Sequence, residues 1–204
     1  MSLFYKLAYR FGFAPWEHAS VHPPAVKQIT ALFEREESER RPPYGRALDL
    51  GCGRGYWSVE LARRGWSVCG VELVSKAADA ARAYARDANV EVQIVEGDVI
   101  TLRDAGVGGD FELVWDFGTV HGLNRAQRLA VGREVSAVAG DNATILTLAW
   151  APGRRGPLPR GMSRQEMEEA FTGWEITDAE PFDATGLPRP LRNVNPRMYR
   201  LRRV

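Results

Sequence analysis

The stretch Asp49-Leu50-Gly51-Cys52-Gly53-Arg54-Gly55 carries the most chemical information in the chain. Glycine at every second position lets a backbone turn tightly and approach a ligand with no Cβ in the way. Placed between a strand and a helix, such a loop presents backbone N–H groups to a bound group. Asp49, just ahead of it, offers an acceptor for an ammonium or for a water bound to one. A dinucleotide fingerprint puts its last glycine one place later, where Tyr56 stands. The Gly-x-Gly-x-Gly spacing therefore suits a smaller ligand with an amino-acid end. Cys52, inside the loop, reads as a small residue packed beside that ligand and not as a nucleophile.

Three more acidic positions follow at strand ends. Glu72, followed by Leu73, lies 17 positions beyond Gly55. A carboxylate there can accept from two ribose hydroxyls, as the equivalent acid does in dinucleotide folds. Asp98 can accept from an adenine amino group, with the backbone of Val99 as the matching donor. Asp116, with Phe117 after it, is placed to hold the amino-acid end of a ligand or to orient a second reactant. His121, in the same loop, titrates near neutrality and is either a general base or a wall of the pocket. His18 and His22 have no cysteine cluster near them, so no metal site is expected.

These residues need a frame, and hydrophobic periodicity supplies it. Short apolar runs at 47–50, 66–71, 90–95, 111–115 and 143–150 alternate with helical patterns at 56–64, 75–87 and 125–139. That alternation predicts parallel βαβ units in a doubly wound α/β sheet. Ligands in such folds sit at the carboxyl ends of the strands. Ser163 and Glu166 predict a capping box on a helix over 164–171. Runs at 174–179 and 198–203 predict two closing strands that give the sheet an antiparallel end. Ahead of the sheet, 1–13 reads as an amphipathic helix, and Pro23-Pro24 opens a second over 25–37.

The segments Asp49–Gly55, Glu72 and Gly97-Asp98 resemble the successive cofactor motifs of the class I S-adenosylmethionine (SAM)-dependent methyltransferases. The resemblance spans about residues 46–150. It implies a Rossmann-like sheet of seven strands, the last inserted antiparallel. It implies Gly51, Gly53 and Gly55 under the methionine part of SAM, Glu72 on the ribose and Asp98 near the adenine. The product would be S-adenosylhomocysteine (SAH). Ala14-Pro15-Trp16-Glu17 is similar to a Thr-Pro-Trp-Asp segment of thiopurine-methyltransferase-like enzymes, in which the tryptophan helps cover the cofactor; Ala14 and Glu17 depart from it. On this reading residues 1–44 form a helical lid and 45–204 the core of one domain.

Composition narrows the acceptor. The 204 residues include 27 Lys and Arg against 26 Asp and Glu, a net charge of +1. A partner of nucleic acid needs a basic surplus, so none is expected. No apolar stretch is long enough for a membrane span. Two cysteines make no disulfide framework, which fits a reducing cytoplasm. Phe13, Trp16, Phe117 and Trp150 fall near the acceptor side and suit a flat aromatic or a thiol acceptor. A monomer or a homodimer is expected. The rival readings are an RNA or protein methyltransferase and a non-catalytic SAM-binding protein.

Overall fold

The computed structural model describes residues 22–153, 159–183, 185 and 193–204. Helix α1 (Pro23–Ser38) precedes β1 (Arg46–Leu50), α2 (Tyr56–Arg63), β2 (Ser67–Glu72), α3 (Ser75–Asp87) and β3 (Val92–Glu96). Then come β4 (Phe111–Asp116), α4 (Arg125–Val138), β5 (Ala139–Ala149), α5 (Arg164–Ala170), β6 (Trp174–Pro181) and β7 (Arg197–Arg203). The predicted helix over 1–13, the Trp16 segment, Arg154 and Arg155 lie outside the described residues.

All seven strands form one sheet in the order β3-β2-β1-β4-β5-β7-β6. Strands β1 to β5 pair in parallel, and β7 runs antiparallel between β5 and β6. Because β6 is antiparallel to β7, β6 points the same way as the parallel strands. The reversed strand is thus the inserted one, and the antiparallel end expected from the sequence is made by β7 alone. The chain leaves β1 toward β2 on one side and returns as β4 on the other. That reversal opens a crevice at the carboxyl ends of β1 and β4, where the glycine loop lies.

Two cores cover the two faces of the sheet. One joins Leu48, Leu50, Val114 and Ile145 to Val131 and Val135 of α4 and to Met167 of α5. The other joins Ala47, Leu113, Trp115 and Leu146 to Ile29 and Phe33 of α1 and to Trp57 and Leu61 of α2. Strand residues alternate between the two, as the period of two requires. Helix α1 therefore lies flat on a sheet face, as a layer of the fold, and not above the carboxyl edge. A buried ion network fixes it there: Glu36 accepts from Arg40 at 2.8 Å and from Arg200 at 2.9 Å. Burial pushes the Glu36 carboxyl up, and the bonds from Arg200, Thr144 and Arg40 outweigh it and hold it below its ordinary range.

Helix boundaries follow local chemistry. Ser163 and Glu166 form the predicted capping box on α5, and Asn124 with Gln127 forms a second on α4 that sequence reading missed. Strand β5 starts at Ala139, directly from α4: Ala139 pairs with Phe111 at the start of β4, and the register then shifts before Leu113 pairs with Thr144. After β3, Asp98 caps a short 3-10 turn over Val99–Thr101.

Candidate active site

The glycine loop is built from left-handed backbone that favours glycine and from bonds that close it. Gly51, Gly53 and Gly55 have φ of 66°, 57° and 80°. A Cβ on Gly51 would lie 2.3 Å from Thr119 Oγ1, and one on Gly55 would lie 2.9 Å from Ala81 Cβ of α3. The first contact lets the loop after β4 fold over the loop after β1; the second seats α3 against it. Cys52 N donates to Val71 O at 3.0 Å and ties the loop to β2. Behind it, Ser58 Oγ on α2 donates to Asp49 Oδ2 at 2.6 Å.

Glu72 is buried at the end of β2 and aimed by two backbone donors. Gly53 N donates to Oε2 at 3.0 Å and Val74 N donates to Oε1 at 2.9 Å. The carboxylate thus links the glycine loop to the turn that holds Leu73. A carboxylate can accept about four bonds, so this anchoring suits a group that also receives hydroxyls. Asp98 is half-buried and accepts from Ile100 N at 3.2 Å, while Val99 is buried beside it.

Asp116 is fully buried, and its oxygens face its own loop. Oδ1 accepts from Thr119 N at 2.7 Å and Oδ2 accepts from Thr147 Oγ1 at 2.6 Å. Val120 N points at the same carboxylate. Thr119 Oγ1 in turn donates to Leu50 O at 2.9 Å. Asp116 therefore shapes the turn from β4, couples it to β5 and leaves Phe117 at the rim. Phe117 packs with Trp57, Trp115 and Phe182, at ring separations of 6.2, 5.8 and 5.8 Å.

Asp49, Glu72 and Asp116 end adjacent strands and share one region of negative charge. Burial pushes the Asp49 carboxyl up to about 7, with the charges of Asp116 and Glu72 adding to it and the Ser58 bond opposing. Burial likewise pushes Asp116 up to about 6, against the bonds from Thr147, Thr119 and Val120. Among the described residues no ion pair reaches Asp49 or Asp116. The Cys52 thiol is held well above its ordinary value, first by burial and then by Asp49 and Glu72, so it stays protonated. No group of three His, Cys, Asp or Glu able to hold a metal occurs among the described residues.

His121 is buried on the far side of this loop. Its Nδ1 lies 3.1 Å from the carbonyl oxygen of Leu148, and its ring lies 4.9 Å from that of Trp150. A carbonyl oxygen only accepts, so Nδ1 carries the proton in this bond. The site thus gathers Asp49, Gly51, Cys52, Gly53, Gly55, Glu72 and Asp116 around one crevice, with His121 behind the β4 loop. Ser58, Thr119, Thr147 and Leu148 were missed. Ser58 had a readable signal, a hydroxyl in the first turn of the helix after the loop, and Thr119 had one in its place beside Asp116; Thr147 and Leu148 belong to a distant segment and had none.

The donor set fits a cation that carries hydroxyls. The buried Asp49 and Asp116, with no ion pair among the described residues, repel each other, and a positive ligand relieves that repulsion. A glycine cradle and a bidentate acid at the next strand complete the requirement for a nucleoside with an amino-acid end.

Comparison with known proteins agrees. Residues 47–141 match a family model described as a methyltransferase domain. The chain is 36% identical over 170 residues to a ubiquinone biosynthesis O-methyltransferase of Mesorhizobium japonicum, a match covering 74% of this chain and 67% of that protein. It is 25% identical over 174 residues to the 2-heptyl-1-hydroxyquinolin-4(1H)-one methyltransferase of Mycobacteroides abscessus, covering 82% of this chain and 71% of that protein. The solved structure of Burkholderia thailandensis 1,6-didemethyltoxoflavin-N1-methyltransferase, with bound 1,6-didemethyltoxoflavin and SAH, shares the fold at a TM-score of 0.74. That alignment is 19% identical and covers 98% of this chain and 86% of the other. Sheet order, glycine loop and relatives lead to one conclusion: the chain belongs to the class I SAM-dependent methyltransferases.

Proposed function

We propose that this methyltransferase moves the methyl group of SAM to an S, O or N atom of a small-molecule acceptor, with SAH as the second product. The observation that carries the reading is the pair of buried acids, Asp49 and Asp116, that flank the glycine loop with no ion pair among the described residues, beside a Glu72 aimed by Gly53 N. SAM supplies a methyl group activated by a sulfonium charge. The backbone of Gly51, Cys52, Gly53 and Gly55 lies under its methionine part, and Glu72, beside Leu73, accepts from its ribose. Asp98 accepts from the adenine amino group while Val99 N–H donates to the ring. Asp116 fixes the loop on which Phe117 walls the path of the methyl group. His121 accepts the proton of an oxygen or nitrogen acceptor; a thiol needs no such base once ionised. Trp16, which the resemblance sets over the cofactor, lies outside the described residues.

Alignment and exclusion of water are what the protein adds to a reactive cofactor. A flat acceptor is favoured by Phe117, half-buried at the rim and backed by the buried rings of Trp57, Trp115 and Phe182. The relatives named for a hydroxyquinolinone and for O-methylation in ubiquinone biosynthesis point the same way. The chain acts as one catalytic domain, with α1 as a layer on one sheet face, as a monomer or homodimer in the cytoplasm. Titration calorimetry with SAM and SAH tests the cofactor site; a methyl-transfer screen over thiols, phenols and heterocyclic amines then tests the acceptor class. Heat from neither nucleoside would sink the reading.

A further inference from the structure

Arg128, on α4, is a charged side chain buried inside the protein, at 3% side-chain exposure. Its Nη2 donates to the carbonyl of His121 at 2.7 Å and to the carbonyl of Gly161 at 2.5 Å. Its Nη1 lies 3.1 Å from Glu166 Oε1, the capping residue of α5, which Arg160 also approaches. Its Nε is buried with no hydrogen-bond partner among the described residues. Burial pushes the guanidinium below its ordinary value, and Glu166 opposes that shift. Gly161 is packed on the segment that carries the ring neighbour of His121: a Cβ there would lie 2.3 Å from Ala151 O and 2.6 Å from Trp150 O. Met162 N donates to Trp150 O at 2.8 Å. The links form a closed circuit: Arg128 holds the backbone of His121, His121 bonds Leu148 through Nδ1, β5 continues to Trp150, and Gly161 returns to Arg128.

We propose that Arg128 is a positioning residue that holds His121 against the Leu148 carbonyl and so fixes its neutral ring as the Nδ1–H tautomer. Nε2 is then the nitrogen with the lone pair, as a base acting on an acceptor requires. The proposal rests on the reading of His121 as that base, but its test does not need turnover. One planar fork holds both carbonyls through Nη2 and Glu166 through Nη1 at once, an arrangement that a single ammonium nitrogen on a flexible stem cannot reproduce.

The full chain, labelled with 15N-histidine and saturated with SAH, is compared by imidazole NMR above neutral pH with Arg128→Met and Arg128→Lys. The three histidines are distinguished with His121→Gln. Wild type is expected to show His121 as Nδ1–H. Arg128→Met is expected to shift it toward Nε2–H, the form preferred by free imidazole, while SAH affinity stays within about twofold. A folded Arg128→Met that keeps Nδ1–H overturns the proposal. Should that variant not fold, Arg128→Lys carries the test: an Nδ1–H share below wild type supports it, and a share equal to wild type overturns it. Failure of wild type to bind SAH would instead strike the cofactor reading. A His121→Ala enzyme with undiminished turnover would strike the base role and leave the tautomer result standing.

Discussion

The cofactor side of the crevice and its acceptor side are built by different means. Around the glycine loop the fixing contacts are short in sequence or made by backbone: Asp49 to Ser58, Glu72 to Val74, Asp98 to Ile100. On the other side they cross the chain: Asp116 to Thr147, His121 to Leu148, Arg128 to Gly161. The first side recognises a ligand of fixed shape, so local geometry suffices. The second holds its groups only through the packing of β4, β5 and the segment after β5, which leaves it free to vary with the acceptor.

The sharpest way to separate the two sides is His121→Ala. It is expected to lower the maximal rate by about 100- to 10,000-fold on an oxygen or nitrogen acceptor, the usual worth of a general base, with SAH affinity unchanged by calorimetry. Equal losses of rate and of SAH affinity would show that the two sides are not independent. Gly51→Ala probes the seam where they meet. Its methyl group would press on Thr119 at a left-handed φ, strain of about 1–3 kcal/mol, so SAH affinity is expected to fall about 10- to 100-fold. Adding Thr119→Ala should recover part of that loss; no recovery would place the strain in the backbone alone.

Glu72→Gln tests the cofactor side by itself. Loss of charge-assisted bonds is expected to weaken SAM and SAH alike by about tenfold, measured by calorimetry. Asp98→Asn, at a half-buried position, should cost less. The smallest effect concerns pH. The folded Asp49 carboxyl sits near 7, above its unfolded value of 3.8, so its ionisation is resisted by the fold. The destabilisation is absent below the unfolded value, grows through the interval and is complete above about 7. Asp49→Asn is therefore expected to melt above wild type at alkaline pH, with the difference vanishing in acid. Wild-type affinity for SAM should also climb more than affinity for SAH across the same window, because only SAM carries the sulfonium charge. Parallel pH profiles for the two nucleosides would remove these acids from cation recognition.

Much of the cofactor side was legible because its signals are local. Glycine at 51, 53 and 55 reports a backbone that no other residue adopts easily, and acids at strand ends point to the carboxyl edge. The capping box at Ser163 and Glu166 was readable for the same reason, since its four bonding groups lie within one turn. Asp116 was legible as a site residue, but not its use: Thr147 lies 31 positions away and only sheet pairing brings it near. Arg128 showed nothing in the sequence beyond a basic residue on a helix, a pattern that ordinarily marks a solvated face.

Sequence alone determined the alternating strands and helices, the glycine loop and the order of its acids, because hydrophobic period, φ preference and capping act within a few residues. Tertiary structure decided that α1 lies on a sheet face and that His121 meets Leu148 and Trp150. Those outcomes depend on which surfaces bury each other across the whole chain, and no local pattern encodes a contact whose two halves are specified far apart.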